Sequence, residues 1–145
     1  MDLITDRTQA DVNRVKEIAV KAKNGTWTAA ERAQWLAGMK GAYNYTDFNR
    51  VESAVKELAA ILGVTVTTVT TWDSKAIPKA ADIQRYLGNI DKLRTVCTAL
   101  ATTPQTPESL HRMTYQTANQ IEQILTDIEA AINSWYRCGE VFCGE

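Results

Sequence analysis

The last third of the chain has the least freedom in what it can become. Between Thr114 and Tyr136, the residues Ala118, Ile121, Leu125, Ile128, Ile132 and Trp135 recur at steps of three and four. That spacing draws one apolar seam along a helix and commits it to lengthwise packing on another helix. Ile124 and Ala131 widen the seam, which favours burial in a bundle over an isolated coiled pair. At 1.5 Å per residue such a helix is roughly 34 Å long. Thr114 is its natural N-cap and Cys138-Gly139 its expected stop. The opposite face carries Gln120, Glu122, Gln123, Asp127, Glu129 and Asn133, and the pattern predicts that it is solvated.

The preceding chain supplies partners for this helix. A first helix is predicted from about Thr8 to Lys23, with Thr8 and Asp11 as a capping box and Val12, Val15, Ala19 and Ala22 as a narrow stripe. Thr28 with Glu31 starts a second helix, leading to Trp35, Leu36 and Met39. Thr46 or Asp47 caps a third, lined by Phe48, Val51, Val55, Leu58, Ala59 and Leu62 and ended by Gly63. Val64 to Trp72 is rich in β-branched residues, which favours a strand. Pro78 opens a fourth helix running to about Ala101, with Tyr86, Ile90, Leu93, Cys97 and Leu100 on its seam. Pro107 can begin a single turn through Leu110 and Met113.

These elements describe one mainly α domain over residues 1–145. Its parts are N-terminal helices (1–63), an extended connector (64–77), a long antiparallel helical hairpin (78–136) and a tail (137–145). The hairpin core is expected to contain Tyr86, Ile90, Leu93, Leu100, Ile121, Leu125 and Ile128. No tandem repeat is visible along the chain, apart from a short echo of Cys138-Gly-Glu in Cys143-Gly-Glu.

Chemistry is sparse. The formal charge is −1, so no basic surplus points to nucleic acid. A helix-turn-helix reading of Ala59 to Trp72 has its small residue, turn glycine and core contacts in place. Its recognition helix, however, is a run of Thr and Val with no Arg, Lys, Asn or Gln for base edges. Three cysteines and one histidine, His111, do not make up a zinc site, and no cofactor or metal is expected. The same lone histidine leaves no nucleophile, base and orienter to assemble, so no catalytic residues are assigned. Met1 to Asp6 has neither a basic run nor an apolar one, and no segment approaches the ~20 apolar residues of a membrane span.

Aromatic residues offer the remaining signal. Trp135, Tyr136 and Phe142 gather at the C-terminus, where Glu140 to Cys143 can also pair as a strand. Short first helices cannot cover both sides of a long hairpin, so some of Ile124, Ile132, Trp135, Tyr136 and Phe142 are expected to stay uncovered. Ile132, Trp135, Tyr136, Val141 and Phe142 are therefore the candidate interface, on a second copy or on another protein.

Several segments resemble proteins encoded by phages and prophages of Gram-positive gut bacteria. They are Ile4 to Val12, Gly38 to Asp47, Asn49-Arg-Val-Glu52, Arg85 to Ile90, Leu93-Arg94, Met113 to Asn119 with Ile121-Glu122, and Gly139 to Glu145. The resemblance covers nearly the whole chain. It implies a virion structural protein, tail- or baseplate-associated, made in the host cytoplasm and acting through self-assembly or other tail proteins. It implies no catalytic residues. Its relatives carry Ser at the positions of Cys138 and Cys143, which speaks further against metal binding there.

Overall fold

The computed structural model describes the backbone of residues 1–97 and 101–143, and side chains as far as Trp135 apart from that gap. Five helices are described, and no strand is found among these residues: α1 (Gln9–Asn24), α2 (Ala29–Ala37), α3 (Tyr45–Leu62), α4 (Ala80–Val96) and α5 (Tyr115–Cys143). The starts of α1 and α2 follow the capping boxes, with Thr8 accepting from the Asp11 N–H and Thr28 from the Glu31 N–H. At α3 the cap is Asn44, and Asp47 is the third-position partner that reaches back to it. Thr114 Oγ1 accepts from the Thr117 N–H at 3.3 Å, capping α5. The helix does not stop at Cys138-Gly139, and Glu140 to Cys143, a stretch able to pair as a strand, is helical backbone.

Three helices, α3, α4 and α5, pack against one another around one apolar core, and α1 packs chiefly on α2 beside them. All three core helices point the same way. Phe48 and Tyr86, in the first halves of α3 and α4, meet edge to face with ring centroids 5.1 Å apart, while Thr65 just past the end of α3 accepts from Lys92 near the end of α4. Ala80, Ile83 and Leu87 share a groove with Tyr115 and Ala118 at the starts of α4 and α5. Arg94 holds the Thr103 carbonyl near the other end of α4, and Thr103 in turn donates to Asp127 well along α5. The expected antiparallel hairpin is therefore not formed. A loop of two to five residues would force adjacent helices antiparallel, but residues 63–79 and 97–114 are each long enough to return along the bundle before the next helix begins.

The helix-plus-return unit is an internal repeat of structure without a matching repeat of residues. The core helices begin 35 residues apart, at Tyr45, Ala80 and Tyr115. Residues at equivalent positions fill the same layers: Val51, Tyr86 and Ile121; Val55, Ile90 and Leu125; Leu58, Leu93 and Ile128. All nine side chains in these layers are at most 2% exposed. No helical position is identical in all three units, so only the pattern of burial repeats.

The Val64–Trp72 stretch is neither the expected strand nor a recognition helix. It is an irregular strap running back from the end of α3 to its start. Its carbonyls at Thr65 and Thr67 accept from Lys92, Arg85 and Asn89 of α4, and its N–H groups donate to α3. Side chains thus satisfy the backbone groups that a sheet ladder would otherwise pair. Nor does Pro107 open a helical turn; the chain bends instead at Arg112, with φ of 54°.

Candidate functional site

Charged residues beside the core seam build the most specific feature of the molecule. Glu52 and Glu122 follow the fully buried Val51 and Ile121, and are themselves 1% and 0% exposed. Each sits three residues after an asparagine, Asn49 on α3 and Asn119 on α5, so Asn and Glu rise from adjacent turns of one helix face. Each pair grips a strap in the same way.

On α3, the Asn49 side-chain amide bonds both backbone groups of Trp72, accepting from its N–H at 2.7 Å and donating to its carbonyl at 2.8 Å. Glu52 accepts from the Val69 N–H at 2.8 Å and from the Trp72 indole N–H at 3.3 Å. On α5, Asn119 bonds both backbone groups of Arg7, each at 3.0 Å. Glu122 accepts from the Ile4 N–H at 2.6 Å and from the Arg7 guanidinium at 2.6 Å. The strap residues are three apart in both cases, Val69 with Trp72 and Ile4 with Arg7. A guanidinium from the neighbouring helix completes each clasp: Arg85 of α4 on Glu52 at 2.6 Å and 2.7 Å, and Arg50 of α3 on Glu122 at 2.7 Å and 3.0 Å.

The α5 clasp is the more highly charged. Arg7 also donates to Asp47 at 2.8 Å, and Arg50 bonds the same carboxylate, so two cations meet two anions. The Arg7, Asp47 and Glu122 side chains are each no more than 4% exposed. Burial works against the Arg50 charge, but the Glu122 and Asp47 carboxylates outweigh it and hold its pKa above the ordinary guanidinium value. The bond to Glu52, against a smaller cost of burial, does the same for Arg85.

The third unit lacks a clasp. Positions equivalent to the Asn and Glu hold Gln84 and Leu87, and the strap positions equivalent to Val69 and Trp72 hold Pro104 and Pro107, which have no N–H to give. Arg94 instead grips the Thr103 and Pro104 carbonyls. Beside Gln84 and Leu87 a groove of about 1180 Å³ opens, walled by Val12, Ile83, Leu110, Met113 and Tyr115. Tyr43, whose hydroxyl pairs with that of Tyr86, also lines it. Burial pushes the pKa of both phenols well up.

The residues singled out from sequence divide clearly. Tyr86, Ile90, Leu93, Ile121, Leu125 and Ile128 lie together in the core cluster. Trp135 is 51% exposed. Of the five residues among which some were expected to stay uncovered, Ile124 and Ile132 are 0% and 4% exposed and belong to the core, because α5 is covered on two sides by α3 and α4, so Ile132 drops out of the candidate interface. Glu122, assigned to a solvated face, is 0% exposed for the same reason, the most enclosed charge among the described residues. Leu100 and the side chains of Tyr136, Val141, Phe142, Cys138 and Cys143 fall outside the described residues. Among the described residues no three of His, Cys, Asp and Glu gather as a metal site would require, and no helix is long and apolar enough to cross a membrane. No protein-family model, no curated protein and no solved structure matches the chain.

Proposed function

We propose that this chain is a non-enzymatic structural component of a phage virion, a tail or baseplate part that works by assembling with copies of itself or with other tail proteins. The virion setting rests on the segment resemblance, which includes the residues of both clasps: Ile4 to Arg7, Asn49 to Glu52, Asn119 and Glu122. The assembly reading rests on one observation: large apolar side chains stay uncovered on the single chain, with Trp135 51%, Leu36 63% and Ile77 86% exposed. Aromatic and aliphatic residues of this kind anchor interfaces when a partner covers them. A DNA-binding regulator would need Thr65 to Trp72 as a helix lying free for the major groove; that segment is the strap held by Asn49 and Glu52.

Mass spectrometry of purified particles tests the virion setting. The chain is expected in stoichiometric amounts, and its absence from particles made by a host that expresses it overturns the reading. Titration with duplex DNA is expected to show no binding, whereas saturable binding with a steep salt dependence would restore the regulator.

A further inference from the structure

The two clasps differ in where their straps come from. Asn49–Glu52 holds residues that follow it directly in the chain, Val69 to Trp72. Asn119–Glu122 holds Ile4 to Arg7, from the opposite end of the sequence. One recognition geometry therefore works whether its strap is the next segment or a distant one, and covalent adjacency is no part of it. We propose that the Asn119–Glu122 clasp is an exchangeable docking site, filled by Ile4 to Arg7 of a second copy when chains assemble.

Charge complementarity fixes the occupant. With the strap removed, Asp47 and Glu122 face Arg50 alone, leaving one buried negative charge uncompensated. Whatever fills the clasp must bring a guanidinium together with backbone groups for Asn119, and the Arg7 of another copy brings the same atoms in the same order. The segment carrying Arg7 lies outside any helix, ahead of the Thr8 cap, and its other ties are few: Leu3 on the core, the Met1 amino group with Glu129, and Asp6 and Arg7 with Lys40, each of which a second copy can also make. Since the same bonds form in either arrangement, the choice between them is set by concentration. In dilute solution the chain's own strap wins, and within a ring or particle the neighbour's strap competes. This inference deepens the self-assembly half of the reading above and shares that premise; it does not need the virion setting.

A complementation pair of full-length chains tests it. Arg7→Ala keeps the clasp and blunts the strap; Glu122→Gln keeps the strap and blunts the clasp. Each alone is expected to sediment without strap-mediated dimer, and the equimolar mixture to give a 1:1 heterodimer at least about ten-fold tighter than either homodimer, as loss of a charge-assisted bidentate contact implies. A mixture that stays monomeric while both variants keep their helical signal overturns the proposal. Equal self-association of both variants also overturns it, while leaving assembly through another face intact. Should Glu122→Gln fail to fold, the Arg7→Ala chain is titrated with a synthetic peptide of residues 1–8. Saturable binding, weakened about ten-fold or more by Arg7→Lys in the peptide, is expected because a lysine cannot reproduce the fork; no binding at millimolar peptide overturns the proposal.

Discussion

The three-helix core and the attachment of the N-terminal segment hold together by opposite physics. In the core, one layer takes Val51, Tyr86 and Ile121, three side chains of different shape, and remains closed. Apolar burial has no direction, so a layer accepts any combination that fills its volume. In the clasps the same two residue types recur, Asn and Glu, because an amide that must accept and donate at once has few substitutes. Where the α4 unit has Leu87 at the Glu position, its strap carries prolines at the donor positions as well. A layer is closed by differing side chains, whereas a clasp needs a matching strap.

The sharpest way to break this contrast is at Glu122. Glu122→Leu leaves Arg7 and Arg50 facing Asp47 alone, a buried surplus of positive charge, and is expected to cost about 3–5 kcal/mol. Adding Arg7→Met restores the balance of Arg50 with Asp47 and should recover much of the loss, since apolar replacements for a buried pair are often neutral. Chemical denaturation of the two variants decides the matter. A double variant no more stable than Glu122→Leu would show that the charges are not coupled.

The matching cut in the core is Ile128→Ala. It opens a cavity in a layer shared with Leu58 and Leu93, at an expected cost of about 2–5 kcal/mol. Ile128→Val should cost about 1 kcal/mol. If the conservative change were as damaging as the truncation, the layers would be far less tolerant than their composition suggests.

Between core and N-terminal segment lies Gly41, whose role is steric. A Cβ there would stand 2.2 Å from the Asp11 carbonyl oxygen, backbone against backbone, where no rotamer change can help. Gly41→Ala is expected to cost about 1–3 kcal/mol by pushing α1 away. Hydrogen exchange should speed up in α1 and α2 and leave α4 protected. Uniform loss of protection would mean that the two regions open as one.

What could be read in advance follows the same division. Helix starts at Thr8 and Thr28, and the apolar faces of α3, α4 and α5, are local patterns of three or four residues, and they are written in the sequence. Helix direction is not local. It depends on how far residues 63–79 and 97–114 travel, and a proline-bearing connector reads the same whether it turns or returns. The clasps were hidden for a related reason. A helix flanked on two sides buries a wider arc than its seam, so Glu52 and Glu122 sit inside while sharing the spacing of solvated residues. Their partners lie 17 and 118 residues away, at Val69 and Ile4. The available signal was the Asn-x-x-Glu pair beside the seam in two helices, 70 positions apart in register, with every identity shared by two units and none by three.

Alkaline pH probes the core from its aromatic end. Tyr43 and Tyr86 have folded pKa values raised by burial, so their contribution to stability is complete below the ordinary phenol pKa of about 10 and is lost as pH rises towards the folded values. Ultraviolet titration of the five tyrosines should therefore show two that ionise only on unfolding. Early ionisation of all five would place Tyr43 and Tyr86 in contact with water.

The smallest expected effect separates buried charge from exposed charge. On α1, Glu17 bridges Arg14 at 2.9 Å and Lys21 at 3.0 Å, with side chains 36–50% exposed. These bonds resemble those of the α5 clasp in length but lie in solvent, where attraction is weak and side-chain ordering offsets most of it. Glu17→Ala should shift the denaturation midpoint only slightly, and at about 1 M salt, where the screening length falls to roughly 3 Å, the shift should vanish. The penalty of Glu122→Leu should persist at that salt, because ions do not reach a carboxylate that is fully enclosed. Equal salt sensitivity of the two variants would mean that water and ions enter the clasp, and that Arg7 is held there no more firmly than Arg14 is held on the surface.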